Sequence, residues 1–593
     1  MNPKTIFFLL IGLVLLSYGN SLSNDFIIDD RALFSPDNLF YQSLKNIPRI
    51  FSEDFIVGFL GDASGLSFEK RYFSGLVFYR PVTALSWFVD YFFWRGWPFG
   101  HRLDNLLLHL LSVFLVYLLA DRLFQNRRIA WMTSALFATH PLHTELINNV
   151  GYRADLMVTP FFILAFIFHF QSKEEGQGTP KGRMWSGLSL VSFFFALFSK
   201  ETAVVFPTLL VIYEASLGTE NWRRAFWRSV LRYIFYFFIL IFYLIVYFCG
   251  FPNPDHHGMI LNQPDLHTIK LIVSSVLIYF KTLLWPLNIT VIPPLDEPMV
   301  DQLGIKEIGG VLAGLIIFIT ALIRWFKRKP EMAFCLLWFW LTYLLVSNRI
   351  SLISPLAYRY MYLPSIGLFL LAGSYLNQWL IYSDQRKSYR NIRYMPFIIL
   401  LILNIFASFS TNLLYRNNFV NAKAMLRDYP QSAMPYLILG HVYHDQGDYP
   451  SAIENYEMYL KQVQRQHHQH AQQIYVAHYF LGVCYYHLNQ WERSLAYFKK
   501  AIRVSPSVAM AYQQAAYIYH EQGKWQEAVF YAIEAMAREP SLVFSRVLLA
   551  DSYWEGGQRE QARPHLQRLL QMAPQDDNVQ QLKKKMLEKN GVL

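Results

Sequence analysis

Near the N-terminus the sequence reads FIIDDRALF, and its adjacent carboxylates Asp29 and Asp30 are the first groups in the chain that could take a proton from an attacking hydroxyl. Further polar residues gather at the ends of apolar runs. They are Arg80 in FYRPVTAL, His140, His143 and Glu145 in THPLHTEL, Arg153 and Asp155 in GYRADL, Lys200 and Glu201 in FSKETAVVF, and Arg359 in YRYMYLPS. Arginine and lysine suit the negative charge that builds on a departing phosphate, so acids and cations together are parts that a transferase with a phosphate-linked lipid donor would need. The chain has no P-loop, glycine-rich dinucleotide turn, nucleophile elbow or HExxH motif, which leaves nucleotide-driven chemistry without support.

Such a site exists only if the chain brings these residues to one side of a membrane. At 593 residues, 54% hydrophobic and 17% aromatic, the sequence is too apolar for a soluble protein of this size. A membrane span needs roughly 20 apolar residues, and candidates occur at 5–22, 103–120, 130–147, 155–170, 184–199, 202–217, 229–248, 306–323, 332–347, 362–381 and 395–412. Basic clusters at 121–128, 172–183, 221–232, 324–330 and 383–393 all face the cytoplasm if these eleven runs cross and the N-terminus lies inside.

The further run 271–287, interrupted by Lys281 and ended by Trp285 and Pro286, would reverse that arrangement if it crossed. It is therefore expected as an interfacial or re-entrant segment on the outer face. On this count Asp29 and Asp30 sit outside in a long first loop, 23–102, and every candidate residue named above faces the same way. Ionisable groups at membrane depth are costly, so a set that converges on one face reads as a functional site.

The C-terminal part is polar and repetitive. Gly482, Ala516 and Ala550 recur every 34 residues, as do Ser494, Ala528 and Ala562, and Pro506, Pro540 and Pro574. Small residues where two helices approach and a proline closing the second helix define the tetratricopeptide pattern. Gly440, Tyr443, Ala452 and Tyr456 mark an earlier unit, separated from the next by an insertion around KQVQRQHHQH. The expected architecture is all-α: a polytopic membrane bundle over 1–412, a linker and half-repeat over 413–432, four repeats over 433–574 as an α-solenoid, and a capping helix over 575–593. Its groove suits an extended acceptor, although self-capping or oligomerisation fits the repeats nearly as well.

The net charge of +11 follows from the basic loops, so a nucleic-acid partner is not expected. Cys249, Cys335 and Cys484 are too few and too scattered for a disulfide framework, and His467, His468 and His470 lack carboxylate or cysteine partners nearby. No cofactor is expected, and no metal ligands are assigned, although a two-acid site could hold a divalent ion.

The motifs DD, FYRPVTALSWFVDY, GHRLDNLLLHLL, ALFATHPLHTELINNVGYRADL, FSKETAVVFPTLLVIYE and YRYMYLPSIG, in this order and followed by repeats, together resemble the transmembrane and tetratricopeptide-repeat O-mannosyltransferases and their bacterial relatives in the GT-C superfamily. The resemblance implies an extracytoplasmic site, a polyprenyl-phosphate sugar as donor, possible mannose transfer, and a hydroxyl of a protein or glycan as acceptor. It puts the base on Asp29 or Asp30, with donor-site residues from the THPLHTEL to GYRADL segment. One carboxylate acting as base implies inversion. The short array and unpaired cysteines favour a bacterial inner membrane with periplasmic repeats; in a eukaryote the same side is the lumen of the endoplasmic reticulum. Two alternatives stay open: an oligosaccharide ligase using a polyprenyl-pyrophosphate donor, and a non-catalytic membrane-anchored assembly factor, which requires the polar set to be dispersed.

Overall fold

The computed structural model describes residues 2–27, 29–34, 38–52, 79–176, 178–217, 233–249, 266–291, 329–347, 356–385, 392–466 and 471–588. Among them all regular structure is helical. The chain divides into two compact units that part between Asp428 and Tyr429. The expected span 306–323, the basic cluster 221–232 and the histidines 467, 468 and 470 lie outside the described residues.

The first unit is a bundle whose long helices are α1 (Pro3–Tyr18), α2 (Pro81–Trp94), α3 (Pro98–Phe124), α4 (Arg127–Thr139), α5 (Arg153–Glu174), α6 (Pro180–Ser199), α7 (Phe206–Leu217), α8 (Ile234–Cys249), α9 (Leu266–Leu284), α10 (Pro330–Leu344), α11 (Tyr362–Gln385) and α12 (Met395–Leu413). Proline opens α2, α3, α6 and α10, where its missing N–H has no intrahelical partner to lose. Among the described residues, Lys4–Ser23, Pro98–Phe124, Val150–Glu174 and Met395–Leu413 are long and apolar enough to cross a membrane, with shorter apolar helices at Ile234–Cys249, Ile272–Leu284 and Pro330–Leu344. Large apolar side chains remain exposed on the outer faces, for example Phe8 and Phe406, as lipid-facing residues of a multi-pass membrane protein do.

Inside, Leu10, Val113, Phe137, Phe166 and Ile366 belong to one buried core that joins α1, α3, α4, α5 and α11. Gly367 allows α10 and α11 to touch, since a Cβ there would sit 2.3 Å from the Cys335 carbonyl oxygen.

Three elements depart from the sequence reading. The run 130–147 is not one span: α4 stops at Thr139, His140 turns extended, and Pro141 begins a short helical turn. Proline cannot donate the next helical hydrogen bond and pushes the residue before it out of the helical region, which breaks the run there. The first outer loop ends early: α2 forms within it, and α3 begins at Pro98, five residues before the expected 103. The run 202–217 opens with a 3-10 turn, Glu201–Val205, ahead of α7. The segment expected as interfacial, 271–287, lies largely within α9, which is helical through Lys281 and ends just before Trp285 and Pro286.

The second unit contains paired helices Met434–Asp445 with Tyr449–Gln466, Ala471–His487 with Trp491–Val504, Ala509–Glu521 with Trp525–Arg538, and Val543–Glu555 with Arg559–Met572, followed by Asp577–Glu588. The small residues of the 34-residue period mark the closest helix contacts: a Cβ on Gly482 would lie 2.7 Å from the Phe498 ring, and Ala528 and Ala562 are fully buried. Replacing Gly482 with valine forces these helices apart and is expected to destabilise the repeat unit by about 1–3 kcal/mol. A lower unfolding midpoint for the full-length protein, followed by proteolysis within 431–588, checks this; an unchanged midpoint contradicts it.

Candidate functional site

Breaking the helix at His140 and Pro141 frees backbone groups and turns a run of side chains inward. Glu145, Asn148, Asn149, Arg153 and Asp155 are all buried in the segment that leads into α5. Buried charge is tolerated only where it is paired, and each of these charges meets a partner from a distant part of the chain.

Glu145 receives Arg359 twice, from the guanidinium and from the Arg359 backbone N–H at 2.9 Å. Asp155, at the start of α5, takes Lys200 Nζ on both oxygens at 2.6 Å. Arg80, just ahead of α2, donates through Nε and Nη2 to the two oxygens of Glu201 at 2.9 and 2.6 Å. Since Lys200 and Glu201 are neighbours, the second and third pairs adjoin. Tyr360 links the first to the second: Lys200 Nζ lies 5.4 Å and the Arg359 guanidinium 4.9 Å from its ring centroid, while Arg359 also stacks on Tyr152 at 3.9 Å. Burial alone would raise the Glu201 carboxyl, but Arg80 and Lys200 outweigh it and hold Glu201 below the usual carboxylate range.

Arg153 does not open into this cluster. It is 1% exposed, ion-paired with Asp90 of α2, and donates to Asn105 Oδ1 at 2.8 Å and the His101 carbonyl at 3.0 Å. Asp90 also meets His101 Nδ1 at 3.1 Å, and although burial would raise its carboxyl, Arg153 and His101 hold it below the usual range. Arg153 thereby fastens the start of α5 to α2 and α3.

The first loop is held against the same segment through Asp30. Asp29 opens the short helix Asp29–Phe34, and the fully buried Asp30 accepts the Gly151 N–H on Oδ1 at 2.9 Å. Arg102, buried in α3, donates to the carbonyls of Asn24 at 3.1 Å, of Asp25 and of Asn148, so one guanidinium ties the loop to the broken-helix segment.

Among the described residues His140 and His143 have no ion-pair partner. His140 Nδ1 accepts the Leu142 N–H at 3.3 Å, and the buried His143 ring packs on Phe137 and Tyr362 with centroids 4.5 and 4.8 Å away. Among the described residues no group of three or more His, Cys, Asp or Glu could hold a metal ion.

The structure thus joins Lys200 and Arg359, with their partners Asp155 and Glu145, around Tyr360, adds the Arg80–Glu201 pair through the adjacent Lys200, and ties Asp30 to Gly151 two residues ahead of Arg153. Sequence reasoning missed Asp90, Arg102, Asn105 and Tyr360. The first three are polar residues inside otherwise apolar helical runs, a signal that was available in FYRPVTALSWFVDY and GHRLDNLLLHLL.

The bundle with an interior charged cluster, followed by helical repeats, defines a multi-pass membrane protein with a tetratricopeptide array. Residues 95–248 match the family described as dolichyl-phosphate-mannose-protein mannosyltransferase, and 431–507, 481–541 and 519–586 match tetratricopeptide repeats. Protein O-mannosyl-transferase TMTC3 of Homo sapiens is 28% identical over 212 residues, covering 35% of this chain and 21% of its own length. Protein O-mannosyl-transferase Tmtc3 of Drosophila melanogaster is 23% identical over 461 residues, covering 65% of this chain and 48% of its own. The chain spans about a fifth of the human relative and about half of the fly one. Among solved structures, the archaeal oligosaccharyltransferase AglB from Archaeoglobus fulgidus aligns over 72% of this chain and 58% of its own at 10% identity, with a TM-score of 0.39. The chain is a relative of the transmembrane and tetratricopeptide-repeat O-mannosyltransferases.

Because Glu145 and Arg359 are buried together, removing one strands the other. Glu145→Ala is expected to destabilise the bundle by about 3–5 kcal/mol, and adding Arg359→Met to recover part of that loss. Thermal unfolding of the single and double variants in detergent checks this; a double variant no more stable than Glu145→Ala contradicts it.

Proposed function

We propose that the chain is a membrane glycosyltransferase that moves a sugar from a polyprenyl-phosphate donor to a hydroxyl of a protein or glycan acceptor on the extracytoplasmic side. Mannose is the sugar named by the matched family and by the relatives. The observation that carries this reading is the convergence of Lys200 and Arg359 on Tyr360, with Arg80 joined through Glu201, beside the segment to which Asp30 anchors the first loop.

The role of Asp29 follows from the resemblance of the first-loop acid pair, and those of the cations from their pairing and exposure. Asp29 is the base: it takes the acceptor hydroxyl proton as that oxygen bonds to the anomeric carbon, while the bond from that carbon to the phosphate oxygen breaks and polyprenyl phosphate departs. A single displacement inverts the anomeric centre. Asp30, held by Gly151, keeps its neighbour in place. Arg80, Lys200 and Arg359 stabilise the phosphate as its charge grows. Of their pairs Arg80–Glu201 is the most open, with side chains 14% and 27% exposed, so phosphate competes with Glu201 for Arg80 first. Arg153 supports the start of α5 from behind. This reading assigns no metal, since a monophosphate sugar donor does not require one.

The outward orientation rests on the basic loops between the runs, with the repeats on the same side, periplasmic or luminal, where their groove can hold the acceptor. The test uses purified full-length protein in sealed proteoliposomes of known orientation, with polyprenyl-phosphate mannose and a membrane-impermeant hydroxyl-bearing peptide. Transfer is expected only when the repeat-bearing face meets the peptide. Asp29→Asn should lower kcat by about 10²-fold or more, and Asp30→Asn, which keeps an oxygen for the Gly151 N–H, should lower it less. Unchanged transfer by both variants contradicts the proposed base, and transfer from the opposite face contradicts the sidedness.

A further inference from the structure

The last membrane helix carries a polar stripe. Asn404, Ser408 and Asn412 of α12 follow one another at four-residue spacing and are all buried, with Thr411 beside them. Polar groups on a membrane helix are costly unless satisfied, and this stripe is satisfied by the helix break and by the N-terminal segment. Ser408 Oγ donates at 2.7 Å to the carbonyl of Thr139, the last residue before the break.

One turn on, Asn412 sits at the centre of a chain of buried amides. Its Nδ2 donates to the Ser17 carbonyl at 2.9 Å and to Asn20 Oδ1 at 2.8 Å, and its Oδ1 accepts Asn148 Nδ2 at 2.7 Å. Asn148 Oδ1 in turn accepts Asn24 Nδ2 at 2.7 Å, and Asn24 Nδ2 also reaches the Asn412 carbonyl at 2.9 Å. Just past α12 the Arg416 carbonyl accepts the Asp25 N–H at 2.9 Å. The stretch 412–416, which leads from the last span toward the repeats, is therefore bonded to both ends of the acid anchor: to 24–25, ahead of Asp29 and Asp30, and to 148, ahead of Gly151.

We propose that Asn412 is a positioning residue for the acid pair. Through Asn148 and Asn24 it fixes the spacing between the first loop and the broken-helix segment, so that the Gly151 N–H keeps Asp30 in place. In this arrangement the end of α12 and the first loop share one hydrogen-bonded joint, and a shift of 412–416 moves the acids. An amide is required because the joint needs two donors and an acceptor at one position, which neither aspartate nor leucine supplies. The kinetic consequence rests on the transferase reading; the structural consequence does not.

The test compares full-length wild type, Asn412→Leu and Asn24→Ala in nanodiscs by hydrogen-exchange mass spectrometry on peptides covering 148–152, with peptides from Pro330–Leu344 as the reference. Exchange in 148–152 is expected to rise by about tenfold or more in both variants, with the reference unchanged. In the mannose-transfer assay kcat should fall while the donor KM stays within about twofold, because the base is displaced and the phosphate cluster is not. Unchanged protection of 148–152, or a rise shared equally by the reference helix, overturns the proposal. If Asn412→Leu does not fold, Asn24→Ala, which removes only the loop end of the joint, decides in the same way. If the wild type transfers nothing, the transferase reading fails and the exchange measurement alone still decides the positioning role.

Discussion

A charge buried in a low-dielectric bundle must be neutralised at close range, and that requirement organises the interior of this protein. Four pairs meet it: Arg80–Glu201, Arg153–Asp90, Lys200–Asp155 and Arg359–Glu145. In each, the partners come from different elements, so the pairs also set where α2, α5, the 200–201 turn and the 357–361 turn lie relative to one another. Apolar packing would leave these elements free to slide along one another, whereas the pairs specify a register.

The broken helix at His140 and Pro141 supplies the other half of the arrangement. Had 130–147 run as one span, Glu145 and Asn148 would sit on a continuous helix with their backbones satisfied internally. Instead the chain turns across the interior, and its freed carbonyls and side chains are met by Tyr18, Ser408, Arg102 and Asn412. Irregular backbone at membrane depth is tolerated only where protein or a cavity satisfies it. Here the irregular stretch is also the one that contacts both Asp30 and Arg359.

Much of this was legible in the sequence because it is local. The 34-residue period exposes the repeats, since Gly482, Ala516 and Ala550 meet the same steric demand in successive units. The charged residues at span ends were legible as a class, because six of them do converge. Their pairing was not, as Arg359 and Glu145 lie 214 residues apart and nothing local distinguishes one carboxylate partner from another. Asp90, Arg102 and the asparagines at 24, 148 and 412 escaped notice for a related reason: single polar residues in apolar helices gain meaning only when three distant segments come together. The unbroken reading of 130–147 gave hydropathy more weight than Pro141, whose missing N–H decides the backbone there.

The central claim is that the Arg80, Lys200 and Arg359 cluster receives the phosphate of a lipid-linked sugar. A photoreactive polyprenyl phosphate, cross-linked to the full-length protein in nanodiscs and mapped by mass spectrometry, tests it most directly. The account predicts label within 79–81, 145–155, 200–201 and 357–361, displaced by unlabelled polyprenyl-phosphate mannose. Label confined to the lipid-facing surfaces of α1 and α12, or not displaced by that competitor, would contradict it.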